Sequence, residues 1–591
     1  MVRVLPEEPA IDRSFDYLVP EALGDQVRVG DRVRVDLHGR RMGGWVTATD
    51  VTPPPGVALR ELSGVSGRGP TPDLIDLARW AAWRWAGRPA SFLRTASPER
   101  VVTDLPAAGS RAAPVPRPSD PLVREALAHD RSVLRLPPAA DLYPVALAAA
   151  GRGPALVLCP TVTQARTIGM RLRRAGVAVA LHPRDWAAGA GGATVVGTRG
   201  AAWAPVAGLA AVVVIDEHDE THQQSQAPTW HAREVALERA RRAGVPCVLT
   251  SPCPTLEALG QGPLLAPSRN DERAGWPVVD VVDMRRSDPR AGMLTPQLVR
   301  VLRSDHRVLC VLNRTGRARL LACAACGELA RCERCDAAVA QPGDELVCNR
   351  CGQARPVVCA ACGRTRLKAV RQGVTRVRDE IEALVGEPVD EVTGARPLAS
   401  GAGTRVVVGT EATLHQIERA DVVAFLDMDQ ELLAPRYRAA EQALALLARA
   451  ARLVGGRPTG TARSAPRAAG TGVVGTGGGT DTGRVVVQTS LPRHEVVQAA
   501  LHGDPSRVAD AERARRELLR FPPVTALAEV SGAAAPDFVD ALGSPLGVEV
   551  LGPSDGRWLL RAPGHAALCD ALAATPRPPG RVRVAVDPPR V

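Results

Sequence analysis

Between Cys323 and Cys362 the chain carries eight cysteines as four C-x-x-C pairs: C-A-A-C-G, C-E-R-C-D, C-N-R-C-G and C-A-A-C-G. A C-x-x-C turn brings two thiolates to one point, and two such turns supply the tetrahedral sulfur set that zinc prefers. Gly327, Gly352 and Gly363 each follow the second cysteine of a pair, where a left-handed backbone is often needed. Eight ligands make two closed sites and leave no position for a catalytic water, so the chemistry they predict is structural. Five residues separate the first two pairs and twelve separate the second and third. These loop lengths favour nesting, with Cys332, Cys335, Cys348 and Cys351 on an inner zinc and Cys323, Cys326, Cys359 and Cys362 on an outer one. Disulfides and a redox pair are the competing chemistries. A long chain without a signal-peptide layout argues against the first, and a redox motif would not recur four times. Metal binding would then be folding energy for an insert poor in apolar residues.

A second cluster is weaker. His218 and His222 stand four apart, with Glu220 between them and His231 beyond. A zinc protease needs a glutamate directly after the first histidine, and Asp219 is there instead. A polar surface turn is the expectation. Cys159, Cys247, Cys253, Cys310 and Cys569 lie scattered in apolar surroundings and read as buried free thiols.

The formal charge of +11 is carried almost wholly by arginine, because Lys368 is the chain's one lysine. Arginine's planar fork suits phosphate oxygens, which favours a polyanionic partner, nucleic acid first. The bland alternative is a basic surface written by a GC-rich genome. No apolar run approaches a membrane span, so no membrane partner and a cytoplasmic location are expected.

The elements that must position these residues follow the hydrophobic pattern. Residues 1–60 alternate as short strands broken by Pro, Gly and Asp, the pattern of a small β-barrel or sandwich. Thr71 to Ala96 reads as helical, with Trp80, Trp83 and Trp85 as core. A Pro/Ala linker covers 104–122. Residues 123–285 alternate continuous apolar strands (the last being P-V-V-D-V-V-D-M) with helices, predicting a parallel sheet covered on both faces. Residues 286–500 repeat the scheme, with the cysteine-rich insert at 320–366 and a Gly/Thr/Ala-rich segment at 455–482 expected to be disordered. Residues 501–591 read as a small α+β domain. The fold class is α/β: two tandem parallel-sheet lobes, a double zinc-knuckle insert in the second, and smaller terminal domains.

This combination resembles the primosomal replication-restart PriA family of superfamily 2 helicases, nearly end to end. The residues that carry the resemblance are F-D-Y at Phe15–Tyr17, V-V-G-T-R at Val195–Arg199 with Ala204–Pro205, E-H-D at Glu217–Asp219, and D-M-R at Asp283–Arg285. L-N-R-T-G at Leu312–Gly316, the eight cysteines, Gln488–Thr489 before Pro492 and His494, and Phe521–Pro523 complete the set. The resemblance implies two RecA-like lobes that use ATP and Mg²⁺. It also implies a 1–103 domain that captures the 3′ end of a nascent strand, with F-D-Y in its pocket. Phe15 and Tyr17 would stack a base, Asp16 would accept a hydrogen bond from the 3′-hydroxyl, and Gly39, Arg40 and Arg41 would approach phosphate. Without the resemblance, F-D-Y reads as an alternating strand with core aromatics. The family's winged helix is not found; only the linker is there.

The fuel-handling motifs depart from the family. Where a P-loop should wrap phosphate, the chain reads P-P-A-A-D-L-Y-P, without glycine or lysine. The metal-binding Asp of the next motif falls on Ile215, unless a one-residue slip restores Asp216 and Glu217. The S-A-T motif reads Ser251-Pro252-Cys253, and G-T-E-A-T-L-H-Q from Gly409 lacks K-G. The arginine-finger positions fall on Leu453 and Gly456, with Arg452 and Arg457 out of register. The expectation is a DNA-binding restart protein that recruits helicase-loading and single-strand-binding partners without helicase activity. The alternatives are an active 3′-to-5′ ATP-dependent helicase with an atypical nucleotide site and a protein-only zinc scaffold.

Overall fold

The computed structural model describes residues 1–8, 11–37, 39–52, 59–106, 120–286, 292–312, 321–369, 374–394, 396, 403–457 and 483–590. Most of the 104–122 linker, the Gly/Thr/Ala-rich stretch from 458 onward and most of L-N-R-T-G lie outside them.

An antiparallel five-stranded sheet begins the chain, in the order Phe15–Tyr17, Val2–Pro6, Arg40–Thr49, Arg32–Leu37, Gly64–Gly67. Arg32–Leu37 alternates inward and outward residues, and one face of the sheet holds a small core of Val2, Val4, Tyr17, Val33, Val35, Val46 and Leu62. The stretch read as one helix is two, Pro72–Arg84 and Pro89–Ala96, each with proline in its first turn. Trp85 is fully buried, and an aromatic ladder from Trp80 through Trp85, Phe92 and Trp203 to Trp230 packs these helices on the next domain.

That domain is a seven-stranded parallel sheet in the order Leu264–Leu265, Arg131–Arg135, Cys247–Ser251, Ala211–Val214, Ala155–Leu158, Thr194–Gly197, Val179–Leu181. The central strands Ala155–Leu158 and Ala211–Val214 are buried at every residue, as double-sided cover by helices requires. The second lobe is a six-stranded parallel sheet: Val278–Asp283, Arg484–Thr489, Val422–Phe425, Val308–Val311, Val406–Gly409, Asp390–Val392. Here one boundary is corrected. Val278–Asp283, assigned from sequence to the first lobe, pairs along its whole length with Arg484–Thr489. It is an edge strand, and its half-exposed V-V-D-V-V-D pattern suits an edge of either sheet, so only the long-range partner decides.

The insert forms a two-stranded ribbon, Leu321–Cys323 with Leu367–Ala369, and a three-stranded sheet of Val339–Ala340, Glu345–Cys348 and Ala354–Pro356. The final domain is an antiparallel sheet, ordered Glu549–Ser554, Arg557–Ala562, Ala526–Ser531, Arg583–Val586, with helices Ala535–Leu542 and His565–Ala574. The five scattered cysteines are all buried; burial pushes the Cys247 and Cys310 thiols up to about 12. Among the described residues no helix is long and apolar enough to cross a membrane.

Candidate functional site

The eight insert cysteines gather in two sets, Cys332, Cys335, Cys348, Cys351 and Cys323, Cys326, Cys359, Cys362. The grouping is the nested one. Sulfur–sulfur distances are 3.5 Å for Cys335–Cys348 and Cys323–Cys362, and 3.6 Å for Cys326–Cys359. A disulfide would need about 2.05 Å, whereas four sulfurs at about 2.3 Å around one metal sit roughly 3.8 Å apart. Each set can therefore hold a metal ion. The knuckle turns are built alike: the N–H groups of Gly327, Gly352 and Gly363 donate to the carbonyls of Cys323, Cys348 and Cys359, at 2.9–3.0 Å. All three glycines have φ between 72° and 78°, as their position after the second cysteine predicts. The second knuckle uses Asp336 at φ 58° in the same role, a residue that tolerates this conformation better than most. The inner set packs with Tyr437, Leu519 and Phe521, where the second lobe meets the last domain. Arg350 ties it down, donating to the carbonyls of Cys335 at 3.0 Å and Ala434 at 2.8 Å. In the outer set Cys326 and Cys362 are exposed.

In the N-terminal sheet, F-D-Y lies antiparallel to Val2–Pro6 with Asp16 opposite Arg3. Side chains alternate across a strand, which sends Phe15 and Tyr17 to one face and Asp16 to the other. Tyr17 is 3% exposed and belongs to the core, so the expectation that its ring stacks on a base is corrected. Phe15 is half-buried, with the Arg13 guanidinium 4.9 Å from its ring centre. Asp16 is held by both oxygens, from Arg3 Nε at 2.8 Å and Nη2 at 3.1 Å. Gly39, at φ 77°, turns the exposed hairpin that carries Arg40 and Arg41. The Tyr17 hydroxyl is pushed up by burial, drawn down by Arg60 and pushed up by Asp36. The exposed Arg60 adjoins the end of F-D-Y. Sequence reading missed Arg60, which is distant in the chain and brought in by Leu18 N–H donating to its carbonyl at 2.9 Å.

Between the lobes lies a cavity of about 260 Å³, lined by seven carboxylates and four guanidinium groups, a net of three negative charges. The helix that would bind phosphate at its N-terminus, Tyr143–Ala150, has that end taken by Asp141, whose carboxylate accepts from Tyr143 N–H at 3.0 Å and pairs with Arg171. Asp216 follows the strand Ala211–Val214 and faces the cleft, as the one-residue slip requires; Ile215 is fully buried. Glu217 also lines the cavity but is already engaged, held by Arg233 at 2.8 Å and Thr255 N–H at 2.8 Å.

Arg452, read as out of register, crosses from the second lobe and fills the space in front of Asp216. Its Nη1 and Nη2 donate to the two Asp216 oxygens at 2.5 and 2.9 Å, and its Nε donates to the Pro138 carbonyl at 3.1 Å, in the loop standing where a P-loop would be. Burial alone would push the Asp216 carboxyl up; Arg452 overrides it and holds the group well below the ordinary carboxylate range. One helical turn earlier Arg449 reaches Asp219 at 3.0 Å. D-x-x-D facing R-x-x-R on one helix face is the signal sequence reading missed. The histidines are engaged elsewhere: His218 with Ser251 at 2.8 Å, His222 with the Ile215 carbonyl at 2.9 Å, and His231 capping a helix. They form no metal cluster among the described residues.

A family model described as a 3′ DNA-binding domain (3′BD) matches residues 3–98. The chain is 30% identical to the probable replication restart protein PriA of Mycobacterium leprae, over 95% of this chain and 92% of that one. It is 30% identical to the protein of the same name in Mycobacterium tuberculosis strain H37Rv, over 93% and 90%. The chain belongs to the PriA family of replication restart proteins. A more distant PriA, from Bacillus subtilis, is 28% identical over 57% of this chain and 43% of its own length. Among solved structures, S. cerevisiae Dbp5 bound to RNA and ADP BeF3 aligns over 68% of this chain and 93% of its own, at 10% identity and a TM-score of 0.34. Within a PriA chain, the strand carrying F-D-Y falls inside the matched DNA-binding region and the cleft closed by Arg452 falls outside it.

Proposed function

We propose that this PriA-family chain is a replication-restart protein that binds fork-like DNA and loads partners without turning over ATP. The observation that carries this reading is Arg452. It spans from Pro138 to Asp216, the two places that would have to hold the phosphates and their metal. A triphosphate would have to displace a bidentate ion pair and enter a cleft of net negative charge. The N-terminal domain captures the 3′ end of the nascent strand: Phe15 offers a half-buried ring, Asp16 the acceptor for the 3′-hydroxyl, and Arg40, Arg41 and Arg60 the phosphate contacts about the Gly39 turn. Tyr17 supports this strand from beneath. The two cysteine sets each hold Zn²⁺ as closed, purely structural sites. The insert and the last domain recruit helicase-loading and single-strand-binding proteins.

The competing reading, an active 3′-to-5′ helicase, is favoured by Asp216 and Glu217 standing together at the end of a central strand. It requires Arg452 to swing out and Glu217 to leave Arg233. Titration of labelled ATP and DNA-stimulated phosphate release separate the two readings. We expect no saturable binding and no hydrolysis above background; turnover stimulated by forked DNA would overturn the proposal. Fork binding is expected to weaken roughly tenfold when the 3′-hydroxyl is blocked, or when Asp16 is changed to Ala, the loss of one charge-assisted hydrogen bond. Equal affinity for free and blocked ends would remove the 3′-end claim.

A further inference from the structure

The last strand of the insert carries a row of cations that nothing so far has used. Leu367–Ala369 pairs with Leu321–Cys323, and the backbone before it is pinned by Ala324 N–H donating to the Arg366 carbonyl at 2.9 Å and Cys359 N–H to the Arg364 carbonyl at 2.8 Å. Leu367 packs inward, against the cluster that holds the inner cysteines, Tyr437 and Phe521. Alternation along the strand therefore turns Arg366 and Lys368 outward together, and both are exposed, as is Arg364. None of the three pairs with a carboxylate among the described residues. Of the insert's four other arginines three are engaged: Arg331 stands 3.6 Å from Glu328 and from Asp336, Arg355 is 3.9 Å from Glu333, and Arg350 is buried on carbonyls, while the exposed Arg334 lies within a cysteine knuckle, away from this strand.

We infer that this face is a second nucleic-acid contact, which grips the phosphate backbone of DNA beyond the end held by the N-terminal domain. The charge is right, and residues two apart on a strand repeat about every 6.6 Å, which lets neighbouring cations meet successive phosphates. The insert from 321 to 369 contains no Phe, Tyr or Trp. It therefore lacks both the platform on which bases stack and the aromatic anchor typical of a protein interface. What remains is a sequence-independent, salt-sensitive backbone contact. A rigid metal-clamped ribbon makes it at little entropic cost, because the strand is already ordered.

Lys368 makes the test unusually clean, since it is the only lysine side chain in the protein. The intact chain is acetylated with an amine-reactive ester, and the rate at Lys368 is read by mass spectrometry. The additions compared are none, a forked oligonucleotide with a free 3′ end, and a poly-aspartate peptide. We expect the fork to slow acetylation at least fivefold and the peptide to leave it unchanged. In parallel, the triple variant Arg364→Ser, Arg366→Ser, Lys368→Ser is checked for unchanged metal content and then titrated with fork at several salt concentrations. Three lost phosphate contacts should lower the log–log salt slope by about 2–3 while preference for a free over a blocked 3′ end persists. An unchanged acetylation rate with fork, or an unchanged slope, would overturn the inference. Protection by the peptide and not by DNA would assign the face to an acidic protein instead. Loss of 3′-end preference in the wild-type chain would strike the proposed function and leave this contact standing.

Discussion

The pair formed by Asp216 and Arg452 shows how one residue type can close a site. Asp216 is 2% exposed and sits at φ 51°, so without a counter-charge its carboxylate would be a costly group to bury. Changing Arg452 to Ala strands that charge, at a cost of about 3 kcal/mol, and should open the cleft to probes of interlobe distance. The pH dependence has a definite sign. The folded Asp216 carboxyl releases its proton at lower pH than the unfolded one, and Asp219, where burial is outweighed by Arg449, shifts the same way. The unfolded chain therefore binds more protons below about pH 4, and stability present above that value is lost as pH falls. A thermal melt from pH 6 to 3.5 should fall more steeply for wild type than for Arg452→Ala. Identical curves would show that the pair does not couple to folding.

At the scale of elements, the two cysteine sets are alike in ligands and unlike in setting. Cys335→Ser and Cys326→Ser should each lower the metal content from two ions to one per chain. Only Cys335→Ser should also lower the melting temperature of the second lobe and last domain, because the inner set is packed against Tyr437 and Phe521; equal melting shifts would refute this asymmetry. The knuckles were legible in the sequence because their geometry is local: loop lengths of five and twelve residues decide which pairs can share a metal. The parallel lobes were legible too, since buried strands declare themselves as apolar runs such as Ala211–Val214. Non-local partnerships were not. Val278–Asp283 finds its sheet 206 residues further on, at Arg484, and Arg452 finds Asp216 across 236. Tyr17 was a matter of facing: period two gives the alternation of F-D-Y, and the core decides which side is in.

At the scale of the molecule, charged junctions hold the parts together. Glu257 of the first lobe lies 2.6 Å from Arg438 of the second and 3.4 Å from Arg516, which leads into the last domain. Asp587 joins Arg84 of the N-terminal domain at 2.6 Å and His565 at 2.8 Å, while Gln223 and Thr229 of the first lobe donate to the carbonyls of Asp587 and Val586. Asp587→Ala would leave the Arg84 guanidinium, 7% exposed, without its partner, a loss of about 3 kcal/mol. Limited proteolysis should then cut between the N-terminal domain and the first lobe at least tenfold faster, with Asp587→Glu in between; an unchanged pattern would show that the aromatic ladder alone suffices. The arginine lodged between the lobes carries a last consequence. On the proposed reading, in which ATP is not turned over, the protein has no power stroke, and its stay on a fork would be set by mass action and off-rate alone. A competitor for the same strand end would then act by blocking the return of a molecule that has already let go.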